Sequence, residues 1–263
     1  MDLDDAYANA AYITNAEAYP PRWTQAAAAF RARHGGELAV PYGESTRQAF
    51  DLFRPEGIAR GVFVFVHGGY WLKFDRSYWS HLAGGALRHG WAVAMPSYDL
   101  APTVRISRIT QQVAQAVARA AAMVDGPILL AGHSAGGHLV ARMACTGGLP
   151  EQVARRLRHV VPISPVADLR PLMRTSMNAD LRLDDEECFA ESPVLLSPQE
   201  GVKTTVWVGG DERPAFLDQA RWLSTAWGCD RMVAGGRHHF DVIDPLADAG
   251  SDLSRLLFAA QPG

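Results

Sequence analysis

The stretch ILLAGHSAGGHLVARMA, residues 128–144, opens as an apolar run and closes as a helical pattern. At the junction Ser134 is boxed by glycines: Gly132 and His133 stand before it, then Ala135, Gly136 and Gly137. Glycine and serine are ordinary loop punctuation. The same arrangement also suits a strand that turns so tightly into a helix that a serine oxygen projects from the turn. With 24 glycines in 263 residues, a G-x-S-x-G match arises by chance in about one such chain in ten. The motif alone therefore settles nothing, and its neighbours decide.

Outward from that stretch, short apolar runs alternate with longer helical patterns. GVFVFVHGG (61–69), GWAVAMPSY (90–98), GPILLAGHS (126–134), HVVPISP (159–165) and KTTVWVGGD (203–211) are continuous apolar runs of strand length. Strands covered on both faces read this way, which predicts a parallel sheet with helices on either side. Between them, Ile106, Ile109, Val113, Val117, Ala120 and Val124 recur at three- and four-residue steps, the signature of one apolar helix face. PAFLDQARWLSTAWG opens with proline and closes with glycine, the usual helix start and stop. ELAVPYG and RQAFDLFRP suit an antiparallel edge pair. The expectation is one α/β domain over residues 1–263, its mostly parallel central sheet of about eight strands having helices on both faces. Residues 1–36 read as an N-terminal helical extension and 166–200 as a cap-like insert, since neither follows the strand–helix rhythm.

Composition narrows the partners. A chain with 48% hydrophobic residues, 20% charged residues and a net charge of −3 gives no electrostatic reason to bind nucleic acid or an anionic membrane. No apolar run approaches the ~18 residues of a membrane span, and the acidic MDLDDAYANAAY start lacks a signal-peptide layout. Cys145, Cys188 and Cys229 are odd in number and widely spaced. Together these fit a cytoplasmic protein without disulfides. The expected partner is a small-molecule acyl substrate, and the sequence is compatible with a homodimer.

In an open parallel sheet, ligands bind beyond the carboxyl ends of the strands, and the reactive residues collect there. One strand ends at Ser134, another at Asp211-Glu212, and DRMVAGG is followed by Arg237-His238-His239-Phe240. A serine hydroxyl is a weak nucleophile until a base takes its proton, and an imidazole serves when a carboxylate fixes its tautomer. Ser134, Asp211 and His239 are the expected catalytic set, with Asp168 and Glu212 as rival acids. His67-Gly68-Gly69-Tyr70 closes the 62–66 run, where glycines let backbone N–H groups approach a developing oxyanion. His67 is expected to brace its loop, and His133 to be a spacer. His133 and His138 straddle the turn in a way that does not suit a shared metal, so neither metal nor organic cofactor is expected.

HGGYW, GHSAGGHL and SYDLAP (97–102), with the order serine, acid, histidine, resemble the hormone-sensitive-lipase-like branch of the α/β-hydrolases. Within that branch the chain is similar to kynurenine formamidases (arylformamidases) from about Tyr42 to Asp244. RQAFDLFRPEG resembles the early strand pair of that family, DERPAFLDQ its acid motif and HHFDVI its histidine motif. The resemblance implies a triad of Ser134, Asp211 and His239 and oxyanion donors at Gly69, Tyr70 and Ala135. It implies hydrolysis of an arylformamide such as N-formylkynurenine through an acyl-serine. A short-chain carboxylesterase is the alternative, and a hydrolase fold that binds small molecules without catalysis the remote one. Tyr70, Trp71, Met173, Met177 and Phe189 are expected to line the substrate pocket, with Tyr12, Tyr19 and Trp23 as further walls.

Overall fold

The computed structural model describes residues 3–258; Met1, Asp2 and 259–263 of the expected 1–263 domain lie outside the described residues. Eight strands form one sheet: β1 (Glu37–Pro41), β2 (Ala49–Phe53), β3 (Val62–Val66), β4 (Ala92–Pro96), β5 (Ile128–His133), β6 (Leu157–Ile163), β7 (Lys203–Gly209) and β8 (Asp230–Ala234). Their order is β1-β2-β4-β3-β5-β6-β7-β8. Only β2 runs against the others, pairing antiparallel with β1 and β4. Each run expected to be a buried strand is one.

The helices are α1 (Leu3–Ala6), α2 (Tyr19–His34), α3 (Gly84–Arg88), α4 (Ile106–Met123), α5 (Ala135–Ala144), α6 (Glu151–Ala154), α7 (Asn178–Leu181), α8 (Asp185–Glu191), α9 (Pro214–Trp227) and α10 (Asp252–Phe258). The period of two along each strand divides the core. Val62, Val64 and Val66 pack with Ile109, Val113 and Val117 of α4 and Leu139 and Met143 of α5. Phe63 and Phe65 point the other way and pack with Trp23 and Phe30 of α2 and Leu253 and Leu257 of α10. This explains why β3, β4 and β5 carry no polar alternation: every residue in them is buried, with both faces covered. The helix termini follow their signals, with Pro214 in the first turn of α9 and Gly228 closing it at φ +59°.

The 166–200 segment carries α7 and α8 among short turns, and Val166, Ala167, Leu169 and Leu172 are buried. The N-terminal segment crosses the carboxyl ends of the strands before α2 packs on the phenylalanine face. No helix among the described residues is long and apolar enough to cross a membrane.

Candidate active site

Ser134 is the first residue past β5, with φ +57° and ψ −116°. Left-handed backbone in a non-glycine residue costs roughly 1–3 kcal/mol and persists only where its surroundings impose it. Here the Ser134 N–H donates to the Ile163 carbonyl at 2.8 Å, and the Ser134 carbonyl accepts from the His138 N–H at 3.0 Å. The turn has no room for larger neighbours. A Cβ at Gly136 would collide with the Val66 carbonyl oxygen, and one at Gly68 would lie 2.7 Å from the His133 oxygen and 3.0 Å from Ser134 Cβ. The loop after β3 therefore rests directly on the serine turn.

That loop is held by His67, whose Nδ1–H donates to the Gly68 carbonyl at 2.8 Å. Its ring stacks on Tyr98 with centroids 4.4 Å apart, and the Tyr98 hydroxyl donates to the His67 carbonyl at 2.8 Å. Burial pushes the His67 pKa down to about 4, so the brace is neutral. Gly69, Tyr70 and Trp71 then follow at φ +111°, +53° and +58°. This run leaves the Gly69 and Tyr70 amides, like that of Ala135 at the start of α5, without an acceptor among the described residues.

His239 is buried, and its Nδ1 lies 2.6 Å from Glu212 Oε2. A carboxylate can only accept, so Nδ1 carries the proton and Nε2 is left with its lone pair. The imidazole is clasped between the Phe216 ring at 4.3 Å and the His133 ring at 4.6 Å. Burial, with the His239 charge second, holds His133 well below the ordinary histidine pKa, so no second cation competes beside His239. Glu212 has no exposed side-chain surface. Its Oε1 accepts from the Gly209 N–H at 3.0 Å and from the Ser164 hydroxyl.

The expected pairing of Asp211 with His239 is thus corrected to Glu212. Asp211 is exposed, because its N–H is tied to the Arg237 carbonyl at 2.9 Å and its side chain is left outside the turn. One residue later the chain points inward, and the longer glutamate reaches the imidazole. The other rival, Asp168, is engaged by Arg170 at 2.7 Å.

Ser134 and His239 line one cavity of about 340 Å³ together with Tyr7, Asn9, Trp23, Tyr70, Phe74, Trp79, Met177 and Phe240. Among the described residues no hydrogen bond joins Ser134 Oγ to His239 Nε2. Of the expected pocket residues, Tyr70 and Met177 are in this wall and three are not. Trp71 is fully buried in the core, where its ring meets His138 edge-on at 5.1 Å, because the left-handed backbone turns its side chain inward. Met173 packs against the core, and Phe189 is 57% exposed on α8.

Of the further walls, Trp23 lines the cavity. Tyr12 lies outside it beneath the Arg213 guanidinium at 3.5 Å, and the Tyr19 hydroxyl is 2.9 Å from His238 Nε2. Phe74, Trp79 and Phe240 escaped sequence reading, since aromatic residues in loops look the same whether they face a cavity or a core.

The N-terminal segment is anchored through Tyr7. The Tyr7 carbonyl accepts from the Tyr70 hydroxyl at 2.7 Å, and the Tyr7 hydroxyl accepts from Gln219 Nε2 at 2.8 Å. Gln219 also receives the Ala167 and Asp168 amides at 2.8 and 2.7 Å, so α9, the 166–200 segment and the N-terminus meet at one buried side chain. No group of three or more His, Cys, Asp or Glu side chains arranged to hold a metal occurs among the described residues.

A family model described as the alpha/beta hydrolase fold matches residues 63–200. The chain belongs to the α/β-hydrolase family. This hydrolase is similar to kynurenine formamidase from Salmo salar, with 27% identity over 235 residues that cover 84% of this chain and 80% of the relative. The kynurenine formamidase of Drosophila melanogaster is 28% identical over 257 residues, 86% of this chain and 84% of the relative. A crystal structure from Silicibacter sp. TM1040, provisionally described as a thioesterase, has 60% sequence identity and a TM-score of 0.96, covering 99% of this chain and 100% of that one.

Proposed function

We propose that this hydrolase cleaves a small acyl group from an aromatic amine through an acyl-Ser134 intermediate, with N-formylkynurenine or a similar arylformamide as substrate. The observation that carries the reading is the buried Glu212–His239 pair opening on the same aromatic-walled cavity as the projecting Ser134. In the first half-reaction, Ser134 Oγ attacks the formyl carbon and His239 Nε2 takes the serine proton. The carbonyl oxygen then carries negative charge, which the free amides of Gly69, Tyr70 and Ala135 are arranged to receive. The imidazolium, steadied by Glu212, gives its proton to the leaving amine as the C–N bond breaks. In the second half a water repeats the attack with His239 again as base, and formate leaves.

A cavity of about 340 Å³ is near the lower end of the ~300–1,000 Å³ usual for ligand pockets, which favours a short acyl group on a flat leaving group over a long acyl chain. The similarity to kynurenine formamidases supports the formamide. The 60% identical structure, described provisionally as a thioesterase, supports a thioester as second reading, and the fold accommodates a short-chain carboxylic ester as third. A soluble, cytoplasmic enzyme is part of the same proposal.

The test compares kcat/KM for N-formylkynurenine, p-nitrophenyl acetate, p-nitrophenyl butyrate and a short acyl thioester. The formamide and acetate should be turned over and butyrate much less well. One methylene in an apolar slot is worth only ~1–3 kcal/mol, so a steeper fall marks steric exclusion. Failure to cleave the formamide, with butyrate hydrolysed as well as acetate, replaces this substrate assignment with an esterase.

A further inference from the structure

The structure assigns Ser164 as the positioning residue of the catalytic acid, an inference that rests on the proposed roles of Glu212 and His239. Ser164 is the first residue past β6, as Ser134 is past β5, and the two strand ends are paired through His133 and Ile163. Both serines adopt left-handed backbone, at φ +57° and φ +46°. Both are fixed by the next strand: the Ser134 N–H donates to the Ile163 carbonyl at 2.8 Å and the Ser164 N–H to the Trp207 carbonyl at 2.7 Å. The same turn thus projects a hydroxyl from two neighbouring strand ends. The first faces the cavity. The second has no exposed surface and donates to Glu212 Oε1.

A glycine would adopt the Ser164 backbone without strain, so the turn alone does not explain a serine there. Its hydroxyl does. A buried carboxylate needs donors on both oxygens. Oε2 is engaged by His239 Nδ1–H, and among the described residues Oε1 has only the Gly209 N–H besides Ser164. Ser164 and Gly209 together fix the rotation of the carboxylate, which points Oε2 at the imidazole. Ser164 touches neither substrate nor His239. Through Glu212 it sets the orientation of the group that holds the base.

The experiment deletes the hydroxyl in two ways. Ser164→Gly removes it and relieves the backbone, whereas Ser164→Ala removes it and keeps Cβ. On p-nitrophenyl acetate each should lower kcat about tenfold, the scale of one hydrogen bond to a charged group, with KM unchanged. With its donor gone the carboxylate is free to rotate, and Oε2 no longer holds the imidazole in one orientation. In a Glu212→Gln background Ser164→Gly should have no further effect. An independent readout is the low-field proton resonance of His239 Nδ1, which should shift in both variants and exists whatever the substrate. If wild type cleaves none of the acyl substrates, the proposed function falls while the resonance still decides the Ser164 assignment. Wild-type kcat and resonance in Ser164→Gly would overturn it, as would an equal loss from Ser164→Gly with and without Glu212→Gln.

Discussion

Replacing Glu212 by glutamine changes one oxygen to an NH2 group, and the three donors around the carboxylate set the consequence. With NH2 toward His239, two donors face each other, and the ring must move its proton to Nε2, where it can no longer accept one from Ser134. With NH2 in the place of Oε1, it opposes the Gly209 N–H, which lies 3.0 Å away and cannot rotate. The Ser164 hydroxyl can turn to accept, but the buried amide cannot. The first arrangement disables the base, and in either one the imidazolium loses its 2.6 Å counter-charge. Loss of the triad acid with geometry kept typically lowers kcat about 10⁴-fold, or about 5 kcal/mol of transition-state stabilisation. Glu212→Gln should therefore reduce kcat on p-nitrophenyl acetate by roughly 10³–10⁴-fold with little change in KM. Asp211→Asn, on an exposed side chain one residue away, should leave kcat within about twofold. Initial-rate kinetics on the two variants, checked for folding by circular dichroism, suffices. The reverse ranking would refute the assignment of the acid and the tautomer argument built on it.

The neighbouring histidines divide in the same way: His239→Ala should lower kcat by several powers of ten, whereas His238→Ala, whose ring meets Tyr19 and Asp241, should have a far smaller effect. Equal losses in the kinetics would remove that distinction. Trp23→Ala, which empties a buried position in the cavity wall, should cost about 3–5 kcal/mol in urea unfolding and raise KM for aryl substrates; unchanged KM would place the substrate elsewhere. Stability should also fall in mild acid. Burial pushes His67, His138 and His159 down to about 4, below the ~6.5 of the unfolded chain. Their contribution is present above pH ~6.5 and lost as pH falls toward 4, on the order of 2 kcal/mol each at pH 5. A urea midpoint equal at pH 7.5 and pH 5 would contradict it.

The sheet was legible because burial on both faces leaves a mark in sequence: β3, β4 and β5 have no polar interruption over their central residues, and β2 is set off by its turn. Ser134 was legible because a tight strand–helix turn excludes side chains at Gly132 and Gly136. The acid was half legible. Asp211 and Glu212 are adjacent, and the one that faces in is set by the hydrogen bond from the Asp211 amide to the Arg237 carbonyl in the loop before His238, a distant contact that no local pattern encodes. Trp71 misled for a related reason: next to HGG it suggests a pocket wall, but two left-handed residues in succession turn it into the core. Phe189 was misplaced because an amphipathic insert does not reveal which side meets the sheet. Ser164 gave no signal beyond a polar residue in an apolar run, since its meaning lies in Glu212, 48 residues away.

The central claim is that Ser134 forms the covalent intermediate, and labelling with a fluorophosphonate tests it most directly. Peptide mapping of the wild-type protein should place a single adduct on Ser134, prior incubation with N-formylkynurenine should slow its formation, and Ser134→Ala should lose both the adduct and turnover. An adduct on another residue, with activity surviving in Ser134→Ala, would contradict the account from the nucleophile outward.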